Sequence, residues 1–173
     1  MNILISSCLL GEDVRYDGDN SAIAYDNTSS FTEKELFMDI ICENSVYSFC
    51  PEVSGGLPTP RSPAEIISAN KPFKILTDKN EDVTINFLMG AKNALDICKK
   101  ENITVALLKS KSPSCGNYEI YDGTFSKKLT KGVGMTVKLL VENDIKVFNE
   151  AQIIELAKYL NMTIPTNKIN LKF

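Results

Sequence analysis

The chain has 173 residues, 43% of them hydrophobic, and no linker-like stretch divides it, so a single α/β domain over residues 1–173 with one sizeable core is expected. A net charge of -3 argues against a nucleic acid polymer as partner, because phosphate contacts need clustered Lys and Arg. The opening MNILISSCLLG has neither a basic segment nor a long apolar run, which argues against a secretory leader or a membrane span and sets the expectation of a cytoplasmic protein.

Asn2 to Ser7 is short, apolar and β-branched and reads as a first strand, followed by a loop carrying Arg15, Tyr16, Asp17 and Gly18. Thr32 and Glu35 stand at capping-box spacing, and Leu36, Phe37, Ile40 and Ile41 share one helical face, which predicts a helix over 33–43. Ser45 to Phe49 reads as a second strand. Cys50 then opens CPEVSGGLPTPRSPAEI, where four of the seven prolines fall within 51–63. Proline fixes φ while Gly55 and Gly56 permit positive φ, so a rigid loop without secondary structure is expected there, either functional or a passive crossover.

Residues 82–101 read as the longest helix, with Val83, Phe87, Ala91, Leu95 and Cys98 near one stripe. A third strand over 103–109 runs into KSKSPSCGNYEIYDGTF, and Asp122-Gly123 inside 119–126 is a hairpin signal. Residues 135–143 fit a short amphipathic helix and 146–148 a fourth strand, while Asn149 and Gln152 are spaced to cap a last helix through Leu160. The core ends near 150, and 151–173 form a C-terminal helix and a tail, the tail after Asn161 packing loosely or reaching a neighbouring subunit. Strands alternating with helices imply right-handed crossovers, hence a three-layer, Rossmann-like α/β domain with a mainly parallel sheet of about four strands plus a small hairpin.

Open α/β sheets keep their ligands beyond the C-terminal ends of the strands. Cys8 and Cys50 follow the first two predicted strands and Cys115 sits in the SPSCG turn after the third, so the three are expected to converge. Cys42 and Cys98 fall on helices and read as buried small hydrophobes. Five cysteines is an odd number, and in a reducing compartment they are expected to be free or ligating. Histidine is absent, so proton transfer falls to carboxylates, Lys, Tyr or Cys. Three thiolates around one space repel one another and call for a cation or a cluster. Zinc would take a fourth ligand from Cys or carboxylate, whereas iron and sulfide accept an all-thiolate set. With no CxxC pair the spacing leaves both open, beside the reading of unrelated core cysteines.

SSCLLGEDVRYDG, CPEVSGGLPTPRSPAEI and LLKSKSPSCGNYEIYDGTF, followed by GVGMTVKLL, resemble the signature segments of the thiouracil desulfidase family, a bacterial family long catalogued as a domain of unknown function. The resemblance covers most of residues 2–150. It implies a [4Fe-4S] cluster held by Cys8, Cys50 and Cys115 with one iron open, and an enzyme that removes sulfur from a small thiolated nucleobase, 2-thiouracil to uracil plus hydrogen sulfide, by non-redox, metal-assisted hydrolysis. Readings from other classes are a non-catalytic iron–sulfur or zinc-binding module for sulfur transfer or redox sensing, and a zinc hydrolase on the same cysteines.

Position suggests further roles. Glu52, two residues after Cys50, reads as an acid or base in a chain without histidine, or else as a loop anchor accepting backbone N–H bonds. Ser112 reads as a proton relay or substrate donor, with a serine turn as the plain alternative, while Ser114 orients the turn. Arg61 either polarises a carbonyl or binds an anion, or pairs with Asp17 or Glu65 to pin the loops. The segments 16–18 and 121–123, both YDG, read as structural turns.

Overall fold

The computed structural model describes residues 1–70 and 72–164; the expected tail lies outside these from Pro165 onward. Four parallel strands form the central sheet: β1 (Asn2–Ser6), β2 (Ser45–Phe49), β5 (Val105–Leu108) and β8 (Lys146–Asn149), in the order β2-β1-β5-β8. Successive side chains on a strand point to opposite faces, so a sheet covered on both sides needs apolar residues at every central position. β1 and β5 meet that need: Ile3, Ile5, Val105 and Leu107 face α1 (Phe31–Glu43) and α5 (Ile153–Tyr159). Leu4, Ala106 and Leu108 face α3 (Thr84–Lys100) and α4 (Met135–Val141). The expected three layers are therefore present.

Two antiparallel hairpins lie beside this sheet. β3 (Ala64–Ser68) pairs with β4 (Lys74–Thr77), and β6 (Glu119–Tyr121) with β7 (Leu129–Lys131). They rest on a third apolar cluster of Ile66, Ile75, Val83, Phe87, Ile120 and Met135. The β3–β4 hairpin is absent from the sequence expectation, and Asp122-Gly123 begins a seven-residue loop, 122–128, instead of forming a two-residue turn.

Three further expectations are corrected. The capping box of α1 uses Ser30 and Glu33, whose side chain and backbone bond reciprocally, two residues ahead of Thr32 and Glu35. The proline-rich stretch is not free of regular structure, because Pro51 starts a short helix, α2 (Pro51–Ser54), where a missing N–H costs nothing. Cys42 is exposed, unlike Cys98. At 100° per residue it lies about 200° around α1 from the buried Ile40, on the solvent side. Among the described residues no helix is long and apolar enough to cross a membrane.

Candidate functional site

Strands β1, β2 and β5 are neighbours and end at the same edge, where the chain turns sharply after each. After β1, one 3-10 turn over Ser7–Leu10 closes on Gly11 at φ 98°, a conformation glycine adopts without penalty, and leaves Cys8 buried. After β2, Cys50 stands at the N-cap of α2. That helix is pressed on α3 through backbone: a Cβ at Gly90 would lie 2.0 Å from the Pro51 carbonyl oxygen, and one at Gly55 2.1 Å from that of Asn86. After β5, Ser112 Oγ accepts from the N–H groups of Ser114 (3.0 Å) and Cys115 (3.1 Å), which winds the turn so that Cys115 faces inward. Gly134 admits the Ser114 carbonyl, which would sit 2.4 Å from a Cβ there.

The three turns enclose a pocket of about 590 Å³ whose lining includes Cys8, Cys50, Cys115, Glu52, Arg61 and Ser112. Cys42 and Cys98 take no part in it. Burial, followed by the neighbouring Cys50 charge, pushes the Cys8 thiol up to about 12, with Lys109 opposing. Burial raises Cys50 as well. Cys115 lies well above its ordinary range, first through burial and then through Cys50 and Cys8. Cys115 thus feels the charge of both other cysteines, and Cys8 that of Cys50. Among the described residues no three Cys, Asp or Glu side chains are gathered tightly enough to hold a single metal ion.

Glu52 takes two partners, one on each oxygen. Oε2 accepts from Arg61 Nε at 2.9 Å and lies 2.9 Å from Nη2 in an ion pair, and Oε1 accepts from the Ser112 hydroxyl at 3.3 Å. Arg61 also donates to the carbonyls of Val14 (3.0 Å) and Pro58 (3.1 Å) and to Thr59 Oγ1 (3.2 Å), so it ties together the loop after β1, α2 and the proline-rich stretch. Its expected partners are otherwise engaged, since Asp17 pairs with Arg15 and Glu65 accepts backbone N–H groups. Ser112 makes the turn bonds expected of a serine in SPS and reaches Glu52 as well. Ser114 is fully buried, lies outside the pocket lining, and its hydroxyl has no partner among the described residues.

Sequence reasoning missed a second charged group in the wall. Lys109 Nζ bonds Glu150 Oε1 and lies 3.2 Å from Ser110 Oγ, while the Ser110 N–H donates to Glu150 Oε2 at 2.8 Å. Burial works against the Glu150 charge, but Lys109 and Ser110 hold its carboxyl below the ordinary value. The observed register sets Leu108 beside Asn149, and hence Lys109 next to Glu150, a pairing that strand prediction alone does not supply.

Irregular loops closing over the C-terminal edge of a parallel sheet, around a pocket rich in thiols and without imidazole, are the layout of an α/β enzyme. The chain belongs to the 2-thiouracil desulfurase family, which it matches over residues 3–152. It is 38% identical over 160 residues to the uncharacterized protein YbbK of Bacillus subtilis (strain 168), with 89% of this chain and 99% of that one covered. A solved structure, the [4Fe-4S]-dependent thiouracil desulfidase TudS, shares 42% identity at a TM-score of 0.78, covering 92% of this chain and 97% of the other.

Proposed function

We propose that this chain, working as one α/β domain, is a thiouracil desulfidase that converts 2-thiouracil and water to uracil and hydrogen sulfide. No electrons are exchanged: the ring carbon loses sulfur and gains the water oxygen. The family membership and the 42% identical desulfidase support the reaction. The observation that carries the site is the meeting of three cysteines from three strand ends in one pocket with Glu52.

Cys8, Cys50 and Cys115 would hold a [4Fe-4S] cluster. The donor set fits such a group. Cys8 and Cys115 are buried and Cys50 half-buried, burial raises all three thiols and Cys50 raises the other two further, so stable thiolates there need positive charge beside them. A four-iron cube takes its ligands at wider spacing than a single ion does. When bound, the cluster supplies a thiophilic Lewis acid at its iron without a protein ligand. The remaining work falls to side chains. Glu52 Oε1 handles the proton of the attacking water, while Arg61 keeps the carboxylate turned toward the pocket through Oε2. The Ser112 hydroxyl, fixed by two N–H groups, moves a proton to and from Oε1. Phe49, Pro51, Pro63 and Ala64 give the pocket an apolar wall that limits bulk water. Five free cysteines suit a reducing cytoplasm.

Anaerobic reconstitution with iron and sulfide, followed by 2-thiouracil, tests this directly. A brown protein binding about four irons and releasing sulfide and uracil is the expected result. Iron-loaded protein without sulfide release sinks the reaction, and stoichiometric zinc in a colourless active protein sinks the cofactor.

A further inference from the structure

The loop 122–128 between β6 and β7 holds side chains in a backbone region they avoid. Phe125 has φ 56° and Lys127 φ 62°, beside Gly123 at φ 87°. For a bulky residue the left-handed region crowds Cβ against the backbone, so such a turn persists only when its surroundings impose it. Here they do. The buried carboxylate of Glu65 accepts from the N–H groups of Gly123 (2.9 Å) and Phe125 (3.0 Å) through the same oxygen, Oε2. Asp122 receives the Thr124 N–H at 3.1 Å and donates its own N–H to the Lys128 carbonyl at 3.0 Å, closing the loop on itself. Gly123 allows the loop to press on β3, since a Cβ there would stand 2.8 Å from the Ile66 carbonyl oxygen. The outcome of this bracing is that Phe125, half-buried, forms part of the pocket wall, as do Tyr121 and the exposed Tyr16.

A phenyl ring left partly uncovered inside a pocket has unsatisfied apolar surface on one side. A planar heteroaromatic ring covers it well, and stacking tolerates the ring's polar edge because only the face is used. We propose that Phe125 supplies the face against which the substrate's pyrimidine ring lies, and that Glu65 is a positioning residue that aims it by bracing the left-handed turn. This rests on the thiouracil reading above and assigns a recognition role to a loop that carries none of the three cysteines.

The test uses anaerobically reconstituted protein, with the Kd for 2-thiouracil measured by calorimetry beside kcat and KM. Phe125→Asn removes the ring but suits the left-handed backbone, and Phe125→Tyr keeps the ring. The Asn variant is expected to raise Kd and KM by roughly fivefold to a hundredfold, the range of base–aromatic stacking, with kcat little changed and iron content and melting temperature retained. Tyr should restore wild-type binding. Glu65→Gln retains an oxygen acceptor and should behave as wild type, whereas Glu65→Leu should copy the binding loss. Wild-type Kd in Phe125→Asn, or a loss that Phe125→Tyr fails to rescue, overturns the proposal. A lowered melting temperature with unchanged KM would likewise mark Phe125 as loop packing. If wild-type protein binds 2-thiouracil without releasing sulfide, the reaction falls and the Kd comparison still decides Phe125. If it binds no 2-thiouracil, both fall.

Discussion

Replacing Arg61 with Met asks whether one guanidinium holds the pocket's loops together. Methionine keeps most of the aliphatic stem, so the packing loss is small and the lost interactions are polar. Those are an ion pair with Glu52, hydrogen-bonded through Nε at 2.9 Å, two bonds to the carbonyls of Val14 and Pro58, and one to Thr59. Both side chains are largely out of water, 7% exposed for Arg61 and 15% for Glu52. Breaking a buried pair by removing one partner costs about 3–5 kcal/mol, because the other charge stays buried. Glu52 retains some solvent and its Ser112 contact, which favours the lower end, about 3 kcal/mol. In a domain of this size each kcal/mol shifts melting by about 2–4 °C, so a drop of roughly 6–12 °C is expected. Removing both charges, Arg61→Met with Glu52→Gln, should cost less than the sum of the single variants by about 1–2 kcal/mol. Urea unfolding of cluster-free protein under reducing conditions measures all three. Strict additivity, or a single-variant loss below about 1 kcal/mol, the scale of an exposed ion pair, would refute the claim that this pair pins the loops.

Three other outcomes are expected. Cys8→Ala, Cys50→Ala and Cys115→Ala should each lose iron on reconstitution while Cys42→Ala, an exposed position, keeps it; Cys98→Ala should keep iron too, provided circular dichroism shows that its cavity has not unfolded the core. Glu52→Gln should keep its iron yet slow single-turnover sulfide release by roughly a hundredfold, the usual contribution of a positioned acid or base, and wild-type turnover with a full cluster would remove Glu52 from the chemistry. Gly90→Ala should destabilise by about 1–3 kcal/mol despite alanine's better helix propensity, because its Cβ meets the Pro51 carbonyl at 2.0 Å; a stabilised variant in urea unfolding would contradict the close α2–α3 contact.

Much of this architecture can be read from local pattern. The runs NILIS and VALL are strands because nothing else accommodates short β-branched or apolar stretches buried on two sides, SVYSF joins them as a half-exposed edge strand, and their parallel order follows from the helices between them. Convergence of Cys8, Cys50 and Cys115 then needs only that strand ends share an edge. What fails is whatever depends on partners distant in sequence. Ser30 with Glu33 and Thr32 with Glu35 carry near-equivalent capping signals, and only folding selects the first. AEIIS and KILT lie too near prolines to register as strands, yet they form the hairpin whose Glu65 braces the loop of Phe125. Arg61 sits in a loop without period, so neither Glu52 nor Val14 was foreseeable as its partner.

The partner found for Arg61 alters the question asked of Glu52. Anchor and acid–base were opposed readings in the sequence because a single carboxylate was assigned a single task. Its two oxygens divide the work: Oε2 is occupied by two guanidinium nitrogens, and Oε1 meets only a hydroxyl, at the longer distance of 3.3 Å. A serine whose oxygen already accepts two N–H groups has its proton left as the group to direct at Oε1. One end of the carboxylate is thereby held still, while the other remains available to exchange a proton with a neighbour. Under the function proposed above, an arginine-braced carboxylate beside a serine would serve, in a chain without histidine, as an imidazole with an orienting acid serves elsewhere: a proton carrier whose position is fixed from behind.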